Sequence, residues 1–163
     1  MLHEALRGLR EDPAFMACVT HWEVVPSRPG RFADLPAGVD ARIRHALKGR
    51  GIERLYSHQV AAWTAARAGK NVVIVSPTAS GKTLAYNLPV LQTLLEDPDA
   101  RALYLFPTKA LSQDQQSELN EVVLGGAIPV KVFTYDGDTP PSIRVSAREE
   151  GRIIITNPDM LHT

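Results

Sequence analysis

The apolar positions of this chain fall into two regimes. Over residues 39–47 they recur at helical spacing, at Val39, Ile43, Ala46 and Leu47, until Gly49 and Gly51 end the pattern. Residues 57–68 predict a second helix, opened by Ser57 and closed by Gly69. Beyond Lys70 the chain changes to short apolar runs alternating with helical stretches. Residues 71–76 predict a β-branched strand buried on both faces, and 102–106, 130–134 and 152–156 predict three more strands. Helices are predicted over 81–95 (with a kink at Pro89), 108–123 and 140–149, and a further one begins at Pro158.

Strand–helix alternation with short connections implies βαβ units. The predicted fold class is therefore α/β, a parallel β-sheet with helices on both faces. In such sheets ligands bind beyond the carboxyl ends of the strands, which here means just after residues 76, 106, 134 and 156. Residues 1–37 follow neither regime. After a short helical opening, Pro26, Pro29, Gly30 and Pro36 punctuate an irregular stretch. The sequence thus divides into an N-terminal arm, 1–37, and a domain, 38–163.

Composition narrows the picture modestly. A length of 163 residues and an apolar fraction of 44% suit one globular domain. Lys plus Arg and Asp plus Glu are 18 each, so bulk charge points to no polyanionic partner. Any nucleic-acid surface has to come from local arrangement. Cys18 is the sole cysteine, which excludes an internal disulfide and a cysteine-rich zinc site; it reads as a small buried hydrophobe. The apolar runs are far short of a membrane span and the N-terminus lacks a signal-peptide pattern, so the expected setting is the cytoplasm.

The chemistry concentrates after the first predicted strand, in Ser76-Pro77-Thr78-Ala79-Ser80-Gly81-Lys82-Thr83. A strand, this loop and then a helix is the context of a nucleoside-triphosphate phosphate loop. Backbone N–H groups of residues 79–83 converge on phosphate oxygens, and the helix N-terminus adds a favourable dipole. Gly81 lets the backbone come close, Lys82 places positive charge on the β and γ phosphates, and Thr83 offers a hydroxyl to Mg²⁺. Ser76 stands where the standard pattern has Gly.

Further segments follow in order. Leu55-Tyr56-Ser57-His58-Gln59 precedes the loop; Pro107-Thr108-Lys109-Ala110-Leu111, Tyr135-Asp136-Gly137-Asp138-Thr139-Pro140 and Thr156-Asn157-Pro158-Asp159-Met160-Leu161 follow it. Together with the loop they resemble the Q motif, motif I, motif Ia, the glycine motif and motif Ib of superfamily 2 helicases of the DEAD/DEAH type. The last two strings resemble the YprA-like branch, which is related to fungal RecQ-four-like DNA repair helicases. The resemblance covers roughly residues 39–163. It implies a RecA-like first motor domain, ATP and Mg²⁺ as cofactors, and a DNA strand as partner.

In that frame Lys82 and Thr83 are the catalytic residues this chain carries. Tyr56, Gln59, Pro77, Thr78, Ala79, Ser80 and Gly81 join them in holding the nucleotide. Gln59 suits adenine, since a carboxamide can accept from N6 and donate to N7; alone it reads as a solvated helix-start residue. Thr108, Lys109, Ser112, Gln113, Gly137, Thr156 and Asn157 are the expected contacts to a nucleic-acid backbone. Thr108 also suits a helix cap, Gly137 a plain turn and Asn157 a helix start. Arg144, Arg148 and Arg152, four residues apart, read more as a solvated helix face than as a basic edge.

The family's Asp-Glu-x-His or Asp-Glu-Ala-Asp box, which holds Mg²⁺ and polarises water, is not found by residue 163. Neither is the second motor domain with its arginine fingers. The expectation is therefore a portion of a 3′-to-5′ helicase, inactive alone. Two other classes stay open: a stand-alone module that binds ATP or single-stranded nucleic acid without turnover, and a small phosphate-loop kinase, against which the Gln59 and Pro107–Leu111 segments argue.

Overall fold

The computed structural model describes residues 2–26, 29–78 and 80–161. Its contacts divide the chain into two units, 1–30 and 31–163. The first unit holds α1 (Leu2–Glu11) and α2 (Pro13–Met16), and neither helix buries a residue. Asp12 caps α2, its Oδ1 accepting from the N–H groups of Ala14 at 2.9 Å and Phe15 at 3.3 Å. Cys18 is exposed, against the expectation of burial, because two short helices enclose no interior.

The second unit begins with β1 (Phe32–Asp34), so residues 31–37, read with the arm, pack with the domain. β1 pairs antiparallel with β2 (Arg54–Tyr56) around α3 (Ala41–Gly49), and α4 (Ser57–Arg67) follows β2 directly. Next come α5 (Lys82–Glu96), β3 (Ala102–Leu105), α6 (Lys109–Gly125), β4 (Val132–Thr134), α7 (Pro141–Glu150) and β5 (Ile153–Thr156), then a 3-10 turn at Pro158–Leu161. β3, β5 and β4 form a parallel sheet in that order, with Tyr104 and Thr134 both opposite Ile155. The α/β class expected from the pattern is therefore present.

β5 is the central strand, and its alternation shows how the sheet is covered. Ile153 and Ile155 are fully buried in one cluster with Leu88 and Leu91 of α5 and Leu119 and Val122 of α6. Ile154 turns to the other face, against Gly151 at the end of α7. Arg152 ties the sheet to α5 from below. Its guanidinium donates to the carbonyls of Ala100 (2.7 Å), Leu94 (3.0 Å) and Asp97 (2.7 Å), so it is a structural clamp and no part of a solvated face.

Residues 71–76 depart from expectation. They join no ladder among the described residues, and Val73 and Val75 are 88% and 93% exposed. A strand is held by neighbours on either side, and here the nearest sheet edge, β3, stands apart. A cavity of about 770 Å³ separates them, lined by Val72 and Ile74 on one side and by Ala102 and Phe106 on the other. On the opposite face of β3, Leu103 and Leu105 are half exposed.

Truncation to alanine should therefore have very unequal effects at two β-branched positions. Ile155→Ala, on the buried central strand, is expected to cost roughly 2–5 kcal/mol. Val75→Ala is expected to stay within about 0.5 kcal/mol of the parent. The shift of the urea midpoint at unchanged m-value measures both.

Candidate nucleotide and nucleic-acid site

The loop between residue 75 and α5 is built around two residues. Gly81 is the N-cap of α5 and has φ +75°, a left-handed conformation that side chains resist. A Cβ there would also meet Gln59 Nε2 at 2.6 Å. Gln59 is 3% exposed, so it is neither the solvated residue nor an idle one. Its Oε1 accepts from the Tyr56 N–H at 2.8 Å, and its Nε2 donates to the Gly81 carbonyl at 2.8 Å. One carboxamide thus ties the start of α4 to the start of α5. Tyr56 lies between two rings, Phe32 at 4.8 Å and His58 at 5.6 Å between centroids. Phe32, Tyr56, Gln59, Gly81 and Thr83 share a cavity of about 560 Å³. Phe32 escaped the sequence reading because a lone aromatic in an irregular stretch carries no pattern.

Lys82 points back into the loop. Its Nζ donates to the carbonyls of Ser76 at 2.9 Å and Pro77 at 2.7 Å, with the Ser76 and Ser80 hydroxyls at 3.4 and 3.5 Å. Those hydroxyls bond each other at 2.6 Å, so Ser76 closes the loop through a side chain where the standard pattern has none. No carboxylate pairs with Lys82 among the described residues. Its ammonium is met only by neutral acceptors, which suits an incoming polyanion. Pro77 and Thr78 are exposed, and Ala79 lies outside the described residues. Thr83 hydrogen-bonds Tyr86, whose phenol is pushed up by burial and donates to Gln115 Oε1 at 2.5 Å.

The other predicted residues gather at the carboxyl ends of β3, β5 and β4. Thr108 caps α6, its Oγ1 accepting from the Leu111 N–H at 3.3 Å. Lys109 pairs with Asp138 across the gap between the β3 and β4 ends, and that carboxylate holds the Lys109 ammonium above its ordinary pKa. Gln113 is exposed. Gly137 is exposed too; its φ is not positive, and nothing lies within 4 Å of the place a Cβ would take. Nothing inside the chain therefore demands a glycine there.

Three predicted contacts are engaged inward. Ser112 is 3% exposed, with its hydroxyl donating to the Thr108 carbonyl at 3.1 Å. Thr156 is 4% exposed, with its hydroxyl donating to the Tyr135 carbonyl at 2.6 Å. Asn157 Oδ1 accepts from the Met160 N–H at 3.0 Å and caps the 3-10 turn. These residues shape the edge from beneath. No group of His, Cys, Asp or Glu among the described residues has metal-holding geometry, and no described helix is long and apolar enough to cross a membrane.

Known proteins resemble this chain over nearly all of its length. Residues 56–163 match the family model for the DEAD/DEAH box helicase. The uncharacterized ATP-dependent helicase YprA of Bacillus subtilis is 54% identical over 163 residues, all of this chain but 22% of the relative. The ATP-dependent helicase HRQ1 of Saccharomyces cerevisiae is 37% identical over 98% of this chain and 15% of its own length. A crystal structure of the DUF1998 helicase MrfA bound to DNA and AMPPNP superposes with a TM-score of 0.85 at 50% identity, covering 98% of this chain and 22% of that one. The chain thus spans 15% to 22% of the length of these relatives. By the match over residues 56–163, this chain belongs to the DEAD/DEAH box helicase family.

Proposed function

We propose that residues 31–163 are the nucleotide-binding part of a longer ATP-dependent DNA helicase of the cytoplasm, one that moves 3′ to 5′ along a single strand and serves DNA repair. The observation that carries this is the meeting of two sites on one sheet edge. The cavity beside β3 is lined by Lys82 and Thr83 from the phosphate loop and by Phe106 and Leu111 flanking the Thr108–Lys109 turn. Relatives named as ATP-dependent helicases, and one solved with DNA and AMPPNP, support the reading.

In this reading the Lys82 ammonium exchanges its carbonyl partners for phosphate oxygens, and the Thr83 hydroxyl holds Mg²⁺. Gly81 and its neighbours present backbone N–H groups, while Gln59 fixes the loop and Tyr56 and Phe32 border the base. The metal, when bound, neutralises charge on the transferred phosphoryl group. Activation of water falls to the Asp-Glu-x-His box of the longer chain, and a second motor domain completes the site. Thr108, Lys109, Gln113 and Gly137 face the nucleic-acid backbone directly; Ser112, Thr156 and Asn157 hold the turns that present them. A backbone passing close to Gly137 explains a glycine that the fold itself does not require.

Two substitutions in the full-length gene product test the reading separately. Lys82→Ala is expected to weaken a fluorescent ATP analogue roughly 10- to 100-fold, the loss of one charge-assisted contact, and to abolish turnover. Gly137→Val is expected to weaken single-stranded DNA about tenfold, with analogue affinity unchanged. Fluorescence titration measures both. Equal analogue affinity in the parent and Lys82→Ala would sink the nucleotide assignment. Nucleotide and DNA binding without turnover would leave a binding module instead.

A further inference from the structure

The 135–139 loop is held by one side chain to a degree its sequence does not announce. Arg144, one turn into α7, reaches back beneath the loop. Its Nε donates to the Thr139 carbonyl at 2.9 Å, and its Nη2 to the carbonyls of Asp136 at 3.0 Å and Gly137 at 3.3 Å. The guanidinium also lies over the Tyr135 ring, 5.2 Å from its centroid. Arg148, one turn further on, donates to the Tyr135 hydroxyl at 3.1 Å and lowers its pKa. Three of the loop's carbonyls therefore converge on a single cation. At its two ends the loop is also held by the Thr156 hydroxyl, which donates to the Tyr135 carbonyl, and by Lys109, which pairs with Asp138. Within it, Thr139 Oγ1 accepts from the Asp136 N–H at 2.8 Å, and Asp136 Oδ1 accepts from the Asp138 N–H at 2.9 Å.

The geometry points to Arg144 as the positioning residue of the nucleic-acid site, which sets the backbone of residues 136–139 for contact with a strand without touching the strand itself. This rests on the nucleic-acid reading given above. Two physical effects combine. A planar fork satisfies several carbonyls at fixed angles, which a lysine ammonium on a flexible stem does not reproduce. A fixed positive charge at the loop also favours the approach of a polyanion to a segment that carries Asp136 and Asp138, the latter already paired with Lys109. A loop so held has lost its conformational freedom before the strand arrives, and that preorganisation appears as affinity.

Salt dependence separates positioning from contact. A residue that neutralises a phosphate contributes about 0.7 to the slope of log affinity against log salt for a single strand. In the full-length protein, Arg144→Lys keeps the charge and loses the fork. Its expected signature is a roughly tenfold weaker binding of fluorescent oligothymidylate at every salt concentration from about 50 to 200 mM, with the slope unchanged and ATP-analogue affinity equal to that of the parent. Tyr135→Leu, which removes the ring under the guanidinium, should show the same pattern more weakly. Parental DNA affinity in both variants would overturn the inference. So would a slope reduced by about 0.7 in Arg144→Ala, which marks a direct phosphate contact. Equal losses of DNA and nucleotide affinity would overturn it as well, because they mark a general fold defect. A parent protein that binds no single-stranded DNA would sink the function reading itself, a result distinct from all of these.

Discussion

The rest of the site depends on one carboxamide. Gln59 is buried at the first turn of α4, and its two ends are committed to two different segments, the Tyr56 N–H and the Gly81 carbonyl. The second bond is possible only because Gly81 has no side chain to block it. The aromatic cavity around Tyr56 and the N-terminus of α5 are thereby held at a fixed separation. A loop that has to wrap a phosphate chain is flexible by composition; here its helix end is anchored from outside, by a residue more than twenty positions earlier in the chain. Burial makes the anchor firm, since a polar group sealed from water loses more when its partner is removed than an exposed one does.

Charge is organised on the same local scale. The chain is neutral overall, yet the edge formed by β3, β5 and β4 gathers Lys109, Arg144 and Arg148 around Asp136 and Asp138. Such an edge is not a basic surface. It holds one ion pair, Lys109–Asp138, and two arginines whose partners are neutral oxygens of the same loop. Lys109, paired in the open, can change partners at little cost. Bulk charge was a poor guide because it averages over this arrangement.

The sequence made the order of elements legible, and the phosphate loop with them, because both rest on patterns local in the chain: β-branched runs of four or five residues, and a Gly-Lys-Thr string between a run and a helix. It was silent where geometry is set by distant partners. Residues 71–76 have the composition of a buried strand, but composition does not supply neighbours, and Val73 and Val75 are exposed. Ser112 and Thr156 carry the hydroxyls expected of phosphate contacts, yet the chain turns both inward. Arg144 and Arg152, read as a solvated face from their spacing, are the two most heavily used guanidiniums in the second unit. Periodicity reports which side of a helix a residue occupies; it does not report that a long side chain can reach back over a turn to collect carbonyls.

The inward posture of Lys82 bears on how affinity at the loop is to be understood. Its ammonium is already solvated from within, by the Ser76 and Pro77 carbonyls. An anion entering the loop competes with these oxygens and not with bulk water. The observed binding constant is then a difference between two sets of hydrogen bonds, and a change that merely loosens the internal set tightens binding without adding a single contact to the ligand.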